Sequence, residues 1–232
     1  FVLNTITAEI LSEVAEELEK DNSNEAVQAM VSKFAKGHQR VLFNGDNYSA
    51  EWPIEAEKRG LPNLSSSVAA LLTITEKETM DVFERQHVLS PQELTARSEI
   101  LLEAYSMKIN IEAKTMLQMA KRQIIPACNE YAAKLAETIS SISAAGVDAS
   151  VQKETLTKIC GLLGDINKGV AELESAVATA AEMQDPAKQA VAYHDKVFAS
   201  CKPVREAADA LEELVDAELW PLPTYADMVY GR

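Results

Sequence analysis

The sequence predicts a mainly all-α protein: a C-terminal antiparallel bundle of long helices preceded by shorter helices. Three observations predict it. Only eight glycines and eight prolines interrupt 232 residues, too few for a fold built on strands and turns. Hydrophobic residues make up 47% of the chain, and in its last two-thirds they recur at steps of three and four, the spacing of one helix face. Ala, Leu, Glu and Lys are abundant, and all four are good helix formers.

The formal net charge of -14 at pH 7 argues against nucleic acid as a partner, because a phosphate backbone would be repelled and no Lys/Arg stripe offsets it. It equally disfavours an anionic membrane surface. There is no signal peptide, and no apolar run approaches the roughly eighteen residues a membrane span needs. A cytoplasmic protein is therefore the expectation. The chain opens on Phe1, not Met, and enters the amphipathic run "NTITAEILSEVAEELEK" almost at once. It reads as cut from something longer.

Taken in order, the first helix is predicted from about Thr5 to Lys20, capped by Asn4 or Thr5, with Ile10, Leu11, Val14 and Leu18 on its apolar face. "DNSN" turns into a second helix carrying Val27, Met30, Val31 and Phe34, and Gly37 stops it. "RVLFNGDNYSAEW" follows. Val41–Phe43 reads as a short extended piece, Asn44-Gly45-Asp46-Asn47 as a turn, and Ser49 as the cap of a helix ending at Gly60. Val68–Ile74 is a short apolar helical piece, and Thr75 caps the next helix.

At Ser90 the character changes. "SPQE" supplies Ser90 as cap, Pro91 at the first helical position and Glu93 to close a capping box. A long helix follows. Pro126 predicts a kink or break, since a proline inside a helix removes a backbone bond and costs about 3 kcal/mol. Beyond it the apolar series runs Cys128, Tyr131, Leu135, Ile139, Ile142, and Gly146 ends it. Ser150 starts the next helix, whose seam is Leu156, Ile159, Leu163, Ile166, Val170, Leu173, Val177 and Ala180. "MQDPAK" is a tight link, with Asp185 as cap and Pro186 at the first position. So short a link makes its two helices antiparallel. The last helix presents Val191, His194, Phe198, Cys201, Val204, Ala208, Leu211 and Val215, with a bend at Pro203. "LWPLPTYADMVYGR" cannot be regular helix through its two prolines, and it is apolar enough to dock on a surface.

No residue is assigned a catalytic, cofactor-binding or metal-binding role. "GLLGDINKG" lacks the Gly-Lys-Ser/Thr ending of a phosphate loop and lies within a heptad seam. His38, His87 and His194 have no partner four residues on, so one helix cannot supply two ligands, and His194 reads as a core histidine. Cys128, Cys160 and Cys201 are far apart and read as three reduced core thiols. The acidic runs "EVAEELE" and "ADALEELVDAE" read as solvated faces.

Four blocks in order, "NTITAEIL", "RVLFNGDNYSAEWPIEAEKRGLPNL", "SEILLEAYSMKINIEAKTMLQMAKRQIIPA" and "LWPLPTYADM", resemble the C-terminal part of type III glutamine synthetases. The likeness is weakest over residues 146–202, where only helical character is shared. It implies a parent enzyme that condenses glutamate with ammonia, using ATP and divalent metal ions (Mg or Mn), with its metal ligands and substrate arginines upstream of this chain. No position here matches those motifs. The resemblance further implies that residues 1–115 close the catalytic fold and that residues 116–232 form a helical C-terminal extension with a docked aromatic tail. The implied partners are the remainder of the catalytic domain and neighbouring subunits of stacked hexameric rings. On this reading "FNGDNYS" is a shaped connection, with an indirect role beside the parent's active site as the second possibility. A free-standing helical interaction module is the alternative function.

Overall fold

Helix α8 (Ser150–Ala181) is the longest element. Its seam is buried from Ile159 through Leu163, Ile166, Val170, Leu173 and Val177 to Ala180, as the spacing predicts. In this computed structural model, which describes residues 1–231, every regular element is helical. The chain forms two compact units, Phe1–Leu101 and the residues from Leu102 onward.

In the second unit α8 is flanked by α7 (Ile125–Ala144) and by α9 (Pro186–Ala192) with α10 (Ala199–Glu212). The two connections are built as the sequence indicates. After α7, Gly146 takes a left-handed conformation with φ 79°. The Gly146 and Val147 amides then bond back to the Ser143 and Ile142 carbonyls at 3.0 and 3.2 Å, a Schellman stop. Before α9, the Asp185 carboxylate accepts the Lys188 amide at 3.0 Å, and Pro186 sits at the first position. The core joins Cys128 of α7 to the α8 seam and to Val204, Ala207 and Leu211 of α10.

Helix α6 (Pro91–Met119) begins at the predicted capping box: Ser90 N–H donates to Glu93 at 2.8 Å, and Glu93 N–H donates to the Ser90 hydroxyl at 3.3 Å. Of the kink or break expected before Pro126, no break occurs, and the distortion is a change of helix type. A π-helical turn, Ala120–Ile124, carries α6 into α7. Its wider ring makes room for the proline and closes through the Ile125 amide on the Ala120 carbonyl. A second π segment, Tyr193–Phe198, joins α9 to α10, and Pro203 lies within α10.

The apolar face of α9–α10 departs from the prediction. Val191 and Phe198 are 37% and 56% exposed, while Ala190, Tyr193 and Val197 fill the core. Val204, Leu211 and Val215 are buried as predicted, while between them Ala207 is buried and the predicted Ala208 only partly so. The bulkier residues drew the sequence reading one position too late.

The first unit contains α1 (Val2–Leu18), α2 (Asn24–Gly37), α3 (Glu51–Lys58), α4 (Ser67–Leu72) and α5 (Lys77–Arg85). Three predicted caps differ. Helix α1 starts at Val2, and Thr5 instead donates its hydroxyl to the Phe1 carbonyl at 3.0 Å. Thr75 ends a 3₁₀ turn and bonds back to Leu72, leaving Glu76 as the cap of α5. Helix α3 is preceded by Ala50, not Ser49.

A Cβ added at Gly169 would stand 3.0 Å from Val204 Cγ2 and 3.3 Å from the Val204 amide nitrogen, so α8 and α10 touch closely there. Gly161 and Gly164 face open space. Gly169→Val is expected to destabilise by about 1–3 kcal/mol. Gly161→Ala or Gly164→Ala should stabilise by about 0.5–1 kcal/mol. Urea midpoints of the three variants measure both effects.

Candidate functional site

Two places gather polar and aromatic side chains into defined geometry. The first is the stretch between α2 and α3. The expected extended piece at Val41–Phe43 is a 3₁₀ turn over Gln39–Val41, followed by Leu42 in a β conformation with no partner strand. Asp46 then builds the turn: its carboxylate accepts the Tyr48 amide at 2.9 Å, and its carbonyl accepts the Ser49 hydroxyl at 2.8 Å. The Ser49 hydroxyl in turn accepts the Glu51 amide at 3.3 Å, so it supports the start of α3 from one position earlier than predicted.

Arg59 fastens this loop. Its guanidinium donates to the Leu42 carbonyl at 2.7 Å and the Arg40 carbonyl at 3.3 Å, while Nε donates to Glu55 at 2.7 Å. It also lies 5.9 Å from the centroid of the Trp52 ring, whose other neighbour is Phe43 at 4.8 Å. The Arg59 bond holds the Glu55 carboxyl below its ordinary value. The bonds of Asp46, Ser49, Glu55 and Arg59 all close within this segment, so the arrangement holds a shape.

The second place is the tail. Trp220 is buried in the core, and Leu222 packs against it. The residues after the two prolines are not irregular: Thr224 and Asp227 form a capping box for α11 (Tyr225–Tyr230). The tail rests beside a groove of about 440 Å³ lined by Ile111, Met116, Met119 and Met228. Arg205 donates to the Tyr225 hydroxyl, that hydroxyl donates to Asp209 at 3.3 Å, and the Tyr225 amide donates to Glu212 at 3.1 Å. These bonds close on one another and fix the tail.

The predicted histidines lie apart. His38 Nδ1 meets the Phe34 carbonyl at 2.8 Å. His87 occupies the left-handed position after α5 with φ 53°, where Gly60 and Gly146 serve other helices. His194 is not a core residue: it is half-exposed and pairs with Asp195 at 2.7 Å, because the neighbouring Tyr193 takes the buried position. Of the cysteines, Cys128 is buried and its thiol is pushed up to about 11 by desolvation. Cys201 is half-buried and also raised by burial. Cys160 is exposed on α8, correcting its assignment to the core. Among the described residues no three His, Cys, Asp or Glu side chains converge on one point, and no helix is long and apolar enough to cross a membrane.

The Arg59 clasp was missed in the sequence, although the i, i+4 pair Glu55–Arg59 and the spacing Trp52–Arg59 were there to be read. The Thr224–Asp227 cap was missed as well, with T-x-x-D as its signal.

All-α architecture with braced connections and a docked tail describes a helical domain. A family profile for the glutamine synthetase C-terminal domain matches residues 26–143, and the chain belongs to that family. It is 30% identical over 241 residues to the type-3 glutamine synthetase of Dictyostelium discoideum, covering 100% of this chain and 33% of that protein. It is 31% identical to a glutamine synthetase of Butyrivibrio fibrisolvens, over 91% of this chain and 30% of that one. With a glutamine synthetase of Bacteroides fragilis (strain YCH46) the identity is 29%, over 99% and 32%. The chain thus spans about a third of the length of these relatives.

Tyr225→Ala removes the anchor of the tail. It is expected to raise the rate of proteolytic cleavage between Leu219 and Thr224 several-fold and to cost about 1 kcal/mol of stability, the worth of an ordinary hydrogen bond. Limited proteolysis followed by mass spectrometry checks this.

Proposed function

We propose that this chain is the C-terminal structural and assembly region of an ATP-dependent glutamate–ammonia ligase, a type III glutamine synthetase. One observation carries the reading: likeness to the Dictyostelium discoideum type-3 enzyme extends over 100% of the chain. A free-standing interaction module is less well supported, because the family match covers residues 26–143, well outside the bundle seams alone.

On this reading residues 1–115 complete the catalytic fold and residues 116–232 form the helical extension. The partners are the remainder of the catalytic domain and neighbouring subunits. ATP and a divalent cation belong to the remainder too. The donors described above are dispersed or already paired, so they do not fit a metal, and no reaction step is assigned to this chain.

Truncation of the full-length synthetase tests the proposal. Deleting the region equivalent to residues 116–232 is expected to lower both oligomer content, read by sedimentation, and glutamine formation, by roughly tenfold or more. The isolated chain should form no glutamine from glutamate, ammonia, ATP and magnesium. Turnover by the isolated chain, or full assembly and activity without residues 116–232, would overturn the proposal.

A further inference from the structure

Helix α1 packs on the rest of the first unit by one side only. Thr5 is 1% exposed, Phe1 meets Phe83 with ring centroids 5.8 Å apart, and Glu9 pairs with Arg85 and accepts from Gln86 at 2.8 Å. The side turned away carries Leu3, Ile6 and Ile10, which are 79%, 52% and 39% exposed, flanked by Val2 and Leu11 at 43% and 61%. Leu3, Ile6 and Ile10 follow at steps of three and four and so form one ridge.

Two further features mark the ridge as a surface made for burial. No side chain in "FVLNTITA" is charged, in a chain whose charged fraction is 25%. The hydroxyls of Thr5 and Thr7 are turned back onto the Phe1 and Leu3 carbonyls at 3.0 and 2.9 Å. They carry their own acceptors and need no water, so desolvating the helix leaves those groups satisfied.

The ridge is small. Five side chains bury on the order of a few hundred Å², well below the roughly 1,200–2,000 Å² of a stable interface between separate molecules. A second copy of this chain is thus a poor occupant. A covalently continuous neighbour meets no such threshold, because linkage replaces concentration. The matched relatives offer one: this chain covers only 33%, 30% and 32% of their lengths.

We propose that the Leu3–Ile6–Ile10 ridge of α1 docks into an apolar seat on the part of the synthetase that lies outside this chain. The inference rests on the function proposed above and deepens it by naming the contact face.

The test uses the full-length enzyme and reads accessibility, not turnover, so its failure is separable from failure of the functional reading. Leu3→Cys and Ile6→Cys are compared with Glu16→Cys, an exposed position on the same helix. Maleimide labelling is followed peptide by peptide. Labelling at positions 3 and 6 is expected to be at least about tenfold slower than at 16. Equal rates overturn the proposal. Protection that vanishes when the oligomer is dissociated to folded monomers assigns the ridge to a second copy and overturns it as well. A companion variant, Leu3→Glu with Ile6→Glu, should lower the melting temperature of the full-length enzyme by about 5 °C or more. An unchanged melting temperature counts against the docking.

Discussion

Enclosure of one long apolar seam is the constraint on which the second unit depends. Helix α8 has buried side chains along one side from Ile159 to Ala180 and charged residues such as Lys158, Lys168 and Glu172 on the other. Each enclosed Leu, Ile or Val contributes about 1.5–3 kcal/mol, but only while α7 and α10 cover it. Backbone ordering costs about 1–2 kcal/mol per residue, so none of the three helices is stable without the other two. Gly169 allows a close contact against Val204. The salt bridge from Lys121 to Glu174 spans two elements at 2.7 Å, yet about half of each side chain is in water, and it adds little by comparison.

The π-helical turns follow from this constraint. A proline at position 126 would break an ordinary helix, but a break would interrupt the row that runs from Ala120 through Ile124 to Cys128. Widening one turn keeps the row continuous and still leaves room for the ring. The segment Tyr193–Phe198 has a comparable place in the third helix. It brings the large ring of Tyr193 inward and leaves Phe198 outside.

What was legible in the sequence was local or strictly periodic. Ser90 with Glu93, Asp185 with Pro186, and Gly146 each specify a helix end through bonds within a few residues, and each is found in place. The α8 seam was legible because its steps of three and four repeat without a break from Ile159 to Ala180, which selects Leu163 over the neighbouring Leu162. The face of α9–α10 was not, because two faces compete: Val191 and Phe198 are larger than Ala190 and Val197, and only packing decides between them. Caps at Thr5, Ser49 and Thr75 failed for a related reason. A hydroxyl can bond forward to a free amide or backward to a carbonyl, and composition does not choose. The functional site was the least legible part. The stretch from Arg40 to Ser49 looks like chemistry in a string of letters, and it becomes a brace once Arg59, downstream of it, is seen to hold the Arg40 and Leu42 carbonyls.

The two units hold together by different means, and this bears on what the chain is for. The twenty-one buried residues of the second unit's cluster form one continuous core. In the first unit the buried apolar residues are Ala56, Val68, Phe83 and Leu94. Its elements are instead tied by polar bonds: Glu9 to Arg85 and Gln86, Arg59 to Leu42, Ser98 to the Leu71 carbonyl at 3.1 Å. Such bonds set direction well and contribute little net free energy where water reaches them. They also depend on charge. The Arg85 hydrogen bond depresses the Glu9 carboxyl, so its contribution is present above the ordinary carboxylate range and is lost as pH falls through the depressed value. A hundred residues oriented by polar ties, with so few apolar side chains enclosed, carry a fixed arrangement but not a full core. In the first unit Leu3, Ile6 and Ile10 stay exposed, the ridge for which docking is proposed, whereas the second unit encloses a continuous core.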